Sequence, residues 1–429
     1  MKPFQIVTLF IFGALALLAV FIFASFSGGR GNTIGTVALW GSLPQETVDT
    51  FLLEAGRDVD GLTGVKYREV SEQAFTSVLV EALAAGTGPD LILFPASLVV
   101  GERDKIITIP YRSISRRDFQ DSFVEAGEIF LTDAGTLGLP FYIDPFVLYW
   151  NRTLFSNAGV ARPPRFWDEL TDIAPKLSRS SAGGTLTQSA VALGEWQNVT
   201  HAKEIFLSLV YGLGNNLVVV NEKGAFQAVF SARGSAPTPP AESALRFYTD
   251  FADPVKNVYS WNRSQTDSRS AFLAGTLAVY MGKASEVFSL RSGNPNLNFD
   301  VAAYPQVRDG RVAVPADVLA LSLPRGAKNA EGALQVAALL SGAPLQRAWA
   351  SAVGLPSVRR DILSATPDSP YEAVFRNAAL NAFTFYDPGP VETDRVFERM
   401  VEDVSSGRLR VPEAVQSGQR SLQALLEVQ

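Results

Sequence analysis

Two periodicities of apolar residues alternate along the chain. Thr33 to Leu39 reads as a β-branched strand ending at Trp40-Gly41, and Val65 to Val70 as a second, alternating strand. Between them Val48, Phe51, Leu52 and Ala55 recur at helical spacing, with Pro44 in the first turn. Phe75, Val78, Leu79, Ala82 and Leu83 predict another helix, which Ser71 can cap and Gly86-Thr-Gly88-Pro89 stops. Asp90 to Phe94 is then a short apolar strand running into Pro95. Strand, helix, strand, helix, strand in this order predicts parallel pairing and an α/β domain. Such sheets take ligands at the carboxyl ends of their strands. Here those ends are Trp40-Gly41, Ser71-Glu72 and Phe94-Pro95-Ala96-Ser97.

After Asn151 the pattern turns helical. Phe166, Leu170, Ile173 and Leu177 share one helix face, and His201 to Leu213 forms a second apolar helix. Strand signals return at Leu277–Met281, Phe299–Tyr304 and Val318–Leu323. From Ala330 the chain is helical again, broken at Gly354-Leu-Pro356 and Asp387-Pro-Gly-Pro390. The late strands imply that the chain goes back to its first sheet. That predicts two discontinuous lobes with a cleft between them: 31–143 with 299–345 as the first, and 144–298 with 346–429 as the second, helix-rich lobe.

Residues 1–30 stand apart from this body. Ile6 to Phe26 carries no charge and would span about 32 Å as a helix, enough for a bilayer core. Signal-peptide cores are shorter, about 7–15 residues. The stretch therefore reads as an uncleaved transmembrane anchor, with a cleaved signal as the alternative and Ser25-Phe-Ser27 as a poor cleavage site. Lys2 and the amino terminus orient the body to the outside.

Composition removes whole classes of chemistry. There is no Cys among 429 residues, so disulfides, thiol catalysis and thiolate metal sites are excluded. The one histidine, His201, cannot build a multi-histidine centre, and it is assigned no role. A net charge of −6 offers nucleic acid no basic field. No phosphate loop, nucleophile elbow or zincin helix occurs, and no cofactor is predicted. Trp40, Tyr142, Trp196 and Trp261 lie at element ends beside Gly, Pro or polar neighbours. Aromatic faces next to carboxylates and amides suit sugar rings; the competing reading for each tryptophan is core packing. Trp167 and Trp349 sit at helical spacing among apolar residues and read as core. Asp144 lies inside an apolar strand beside Pro145, where an acid needs a partner from the protein or from a ligand.

The densest block runs Gly138-Leu-Pro140, Tyr149-Trp150-Asn151, Leu154-Phe155, Gly159 and Pro163-Pro164-Arg165-Phe166-Trp167-Asp168-Glu169-Leu170. It resembles the signature region of the family 1 extracellular solute-binding proteins, the maltose-binding-like receptors of ABC importers. Ala84 to Asp90, Ala271 to Gly282 and Gly354-Leu-Pro356 resemble further family elements in the same order. Departures are Trp150 where Tyr is usual, Phe166 where Thr is, Thr276 for a common Lys, and no tryptophan in Gly282-Lys-Ala-Ser285.

The resemblance implies a two-lobed periplasmic-binding-protein-like α/β fold with hinge strands, closing over a solute. It places Asp144 at a hinge-proximal acid that bonds sugar hydroxyls, Trp40 on the loop after the first strand and Trp196 near the second-lobe aromatic wall, with Trp261 and Asp317 fitting more loosely. The expected ligand-binding set is Trp40, Glu72, Tyr142, Asp144, Trp196, Trp261 and Asp317. The expected function is a membrane-anchored, non-enzymatic extracytoplasmic receptor that hands a solute, chiefly a mono- or oligosaccharide, to ABC permease subunits. The rivals are an anchored surface glycan hydrolase or lyase using paired carboxylates, and a non-transporting sensor of the same fold.

Overall fold

A computed structural model describes residues 34–234, 237–367 and 369–428. The predicted membrane segment, residues 6–26, lies outside them; among the described residues no helix is long and apolar enough to cross a membrane.

The first hundred residues fold as their pattern requires. Strand β1 (Val37–Gly41), helix α1 (Gln45–Asp58), β2 (Val65–Glu69), α2 (Phe75–Ala84) and β3 (Leu91–Pro95) follow in order. Helix α1 buries Val48, Phe51, Leu52 and Ala55, the i, i+3, i+4, i+7 stripe of its sequence. Its Glu46 and Arg57 sit at the ends that the helix dipole favours. Pro44 stands at the N-cap, just ahead of the first turn. Ser71 makes no capping bond; Glu72–Ala74 form a 3₁₀ turn before α2 instead. All five residues of β3 are buried, as a strand covered on both faces must be.

The central feature is a pair of long strands. Strand β4 (Leu139–Asn151) is followed by β5 (Leu186–Val191), helix α3 (Ala202–Gly212), β6 (Leu277–Lys283), helix α4 (Glu286–Gly293), β7 (Phe299–Ala302) and β8 (Val314–Pro324). The sheet order is β2-β1-β3-β8-β4-β6-β5, with the two-residue strand Arg179–Ser180 at the far edge. β1 pairs in parallel with β2 and β3, whereas β8 is antiparallel to both β3 and β4. β4 begins beside β8 in the first lobe and ends beside β6 and β7 in the second.

Two apolar cores divide along these strands. One holds Val37 to Ile143 and returns at Val318, with Trp349 edge-on to Phe51 at 5.0 Å and tilted against Phe141 at 4.9 Å. The other starts at Phe146 and holds Val301, Tyr304, Ala313 and Val314. The division differs from the boundaries drawn above. Residues 299–314 pack in the second lobe, because β7 pairs with the outer half of β4. The first core also continues beyond residue 345, through Trp349, Val358 and Leu363. Asp90 ties the first lobe across long sequence separations: its carboxylate accepts the N–H groups of Ala38, Lys328 and Asn329 at 3.0, 2.9 and 2.8 Å. Helices α5 (Ala343–Val353), α6 (Pro390–Ser405) and α7 (Val411–Glu427) complete the chain, the last two on the second lobe.

Candidate functional site

Two adjoining cavities, of about 260 and 1070 Å³, open between the lobes and share Ser42, Glu72, Pro95, Ser97, Lys203, Glu204 and Asp387. The first lobe contributes the loops after β1, β2 and β3, the carboxyl ends where an open α/β sheet takes its ligands. The second lobe contributes the start of α3 and the turn after β6. The crossing strands form the floor.

On that floor Asp144 and Asp317 are register partners of β4 and β8. Asp144 is 3% exposed. One of its oxygens accepts the Ser285 N–H at 3.0 Å and the other accepts the Tyr142 hydroxyl at 3.2 Å. Burial raises its carboxyl to about 6 against the Ser285 hydrogen bonds, with the Asp317 charge adding and Lys283 subtracting. Burial also raises the Tyr142 hydroxyl far above its ordinary value, aided by the Asp144 charge, so it stays a donor. Lys283 pairs with Asp317. Burial alone would lower this lysine, but the Asp317 charge and hydrogen bond outweigh it and hold the ammonium protonated.

A second ion pair lies beside the first. The Lys203 ammonium meets Asp387 at 3.1 Å and the Pro390 carbonyl at 3.3 Å. Asp387 is itself buried and accepts from the Gly389 N–H and the Thr393 hydroxyl. His201 begins the same helix in the left-handed region, at φ +63°, and its Nε2 lies 2.7 Å from Glu286. Burial would raise Glu286, but its bonds to His201, Tyr280 and the Lys283 N–H bring it down to about 2.

These groups are not saturated. An ammonium carries three donors and a carboxylate about four acceptor positions. Among the described residues Lys283 uses one donor, on Asp317, and Asp144 accepts from the Tyr142 hydroxyl and from both the N–H and the hydroxyl of Ser285, which leaves about one acceptor position open. The floor thus offers hydrogen bonds of both polarities at fixed positions.

The seven sequence-predicted residues separate cleanly. Glu72, Tyr142, Asp144 and Asp317 line the smaller cavity together. Trp196 reaches the larger one, although its ring packs on Tyr248 and Phe397 and its indole N–H donates to Asp394 at 3.2 Å. Trp40 and Trp261 line neither. Trp40 is buried under the Arg68 guanidinium, 4.5 Å from the ring centroid. Trp261 is wholly buried and donates to Asn198 at 3.0 Å, so its polar end is satisfied inside the second lobe. For these two rings the core-packing reading holds, and their assignment to the cleft is corrected. Lys203, Glu204, Lys283 and Ser285 were not among the predicted residues, yet they form the second-lobe wall. Their one sequence signal is position, at a helix start and after the strand ending in Met281-Gly282-Lys283.

Comparison with known proteins agrees with this architecture. The family model described as bacterial extracellular solute-binding protein matches residues 56–374. A relative from Brucella abortus (strain 2308), named only as a binding protein, is 23% identical over 331 residues, 76% of this chain and 75% of its own length. An ABC transporter solute-binding protein from Thermotoga lettingae, bound with α-D-tagatose, superposes with a TM-score of 0.68 at 21% identity, covering 91% of this chain and 100% of that one. The cyclic α-maltosyl-1,6-maltose binding protein of Arthrobacter globiformis superposes with a TM-score of 0.74 at 16% identity, covering 92% and 99%.

Proposed function

The chain belongs to the bacterial extracellular solute-binding proteins, and on that premise we propose that it is the receptor of an ABC importer for a carbohydrate. The solute sits between the lobes, and contact with both favours the closed arrangement over the open one by population shift. The observation that carries this reading is the floor of the smaller cavity. There Tyr142, Asp144 and Asp317 from the crossing strands meet Lys283 and Ser285 from the second lobe. Vicinal hydroxyls present a donor and an acceptor each, which matches the unused valences of a carboxylate and an ammonium held side by side. The tagatose-bound and the cyclic α-maltosyl-1,6-maltose-binding neighbours support the same class of solute. Glu72, from the first lobe, and the edge of Trp196 complete the proposed contact set. Residues 6–26 are proposed to anchor the body at the outer face of the membrane, beside the permease subunits that receive the solute.

A thermal-shift screen of residues 31–429 against mono- and oligosaccharides, polyols and peptides tests the proposal. A solute at about 100 times its Kd stabilises the native state by about 2.7 kcal/mol, which the melting temperature reports. A screen in which peptides shift the melting temperature and no carbohydrate does would reject the carbohydrate reading.

A further inference from the structure

Apart from the hinge, the two lobes meet at a separate apolar contact. Val100, from the short first-lobe helix Val99–Glu102, is buried in a small third cluster. The other members are Val218 and Ala228, from a two-stranded hairpin of the second lobe, and Leu422 and Leu426 of α7. Beside it the Arg103 guanidinium lies 4.5 Å from the centre of the Phe226 ring, which in turn packs on Tyr386 at 5.1 Å. The hairpin is fixed to α7: Gln423 accepts the Ala228 N–H at 2.9 Å, and Gln419 accepts the Ser231 N–H at 2.8 Å. The second-lobe side is therefore a rigid pad, while among the described residues the first lobe contributes Val100 and Arg103 to it.

The same first-lobe helix also faces the cleft. Gly101 and Glu102 line the larger cavity, while Val100 and Arg103 face the pad. Separating the lobes at this edge would expose Val100 to water and take Arg103 off its ring. We propose that this contact is a closure latch, which holds the receptor shut at one rim of the cleft independently of solute. The latch rests on the reading of the protein as a closing receptor and adds a bias that the solute contacts do not supply. Burying one valine side chain changes an equilibrium by roughly tenfold or more, so removing it moves the open and closed populations by that factor.

The chain has no cysteine, so spin labels can be placed at will. Leu53→Cys in the first lobe and Val255→Cys in the second put labels at positions 66% and 89% exposed. Pulsed electron–electron resonance on the full chain in detergent, without solute, then reads the interlobe distance. Val100→Asp is expected to move the distribution from a closed toward an open population by roughly tenfold, with Arg103→Ala giving a smaller shift the same way. If Val100→Asp does not fold, Val100→Ala with Arg103→Ala takes its place. An unchanged distribution in folded variants overturns the latch. Maltotriose, mannotriose and tagatose, added separately, distinguish that failure from failure of the receptor reading. A sugar that shifts the distance while the latch variants do not would leave the receptor standing and remove only the latch.

Discussion

Replacing Asp144 by Asn isolates the electrostatic cost of the cleft floor. Asp144 is 3% exposed, and burial raises its carboxyl from 3.8 to about 6. Between those values the native carboxyl keeps a proton that the unfolded one has lost. The native state then binds more protons, so this group makes stability fall as pH rises. At about 1.36 kcal/mol per pH unit, a difference of roughly 2 units corresponds to about 3 kcal/mol lost between pH 4 and pH 7. Asn keeps an acceptor for the Ser285 N–H, and its amide can donate to the Tyr142 oxygen. Asp144→Asn is therefore expected to be close to wild type in stability near pH 4 and more stable by up to about 3 kcal/mol at pH 7. Urea denaturation of both proteins at half-unit pH steps gives the difference curve, from which all other titrations cancel. A flat difference between pH 4 and 7 would refute the reasoning. So would a variant less stable than wild type at neutral pH.

Three further changes probe the supports of the site. Glu286 is held at about 2, below its ordinary 4.5, so its contribution is full above pH 4.5 and lost as pH falls through 2; Glu286→Gln should cost about 3 kcal/mol at pH 7 and flatten the acid limb of a denaturation profile between pH 4.5 and 2. A Cβ at Gly138 would lie 2.2 Å from the Ser322 hydroxyl and 2.8 Å from the Leu321 carbonyl oxygen, so Gly138→Ala should force β4 from β8 and lower the melting temperature, at a cost of about 1–3 kcal/mol. Trp349→Ala should remove about 3–5 kcal/mol from the first lobe alone, splitting a single calorimetric transition into two.

The fold was legible wherever one face of an element decides its place. The stripe Val48, Phe51, Leu52, Ala55 and the uniformly apolar β3 read correctly because burial follows local periodicity. The hinge position of Asp144 came from the family resemblance, and the acid inside an apolar run was the one local signal beside it. The return crossing was not placed correctly, because Phe299–Ala302 reads as a strand without saying which sheet it joins. The site was half legible for the same reason. Tyr142 and Asp144 lie on one strand, whereas Asp317 sits just before the predicted strand Val318–Leu323 and its register opposite Asp144 is set by strand pairing that the pattern does not specify. Lys203 is fixed by its pair with Asp387 and Lys283 by the pairing of β6 with β4 opposite Phe146, both across more than a hundred residues, and no local signal encodes them. Trp40 and Trp261 show the converse error. A ring beside polar neighbours in sequence can still have them as core partners, as Arg68 and Asn198 do here.

The central claim is that a solute binds on the floor between the lobes, and Lys283 is the group that tests it most directly. Its ammonium pairs with Asp317 and sits among the lining residues of the smaller cavity. Isothermal titration of the best sugar from the screen into wild type and Lys283→Met is the decisive measurement. The account predicts one site per chain in the wild type and an affinity roughly ten- to hundredfold lower in the variant, the value of a hydrogen bond to a charged group. Equal affinities in the two proteins, with the variant folded, would place the solute elsewhere and contradict it.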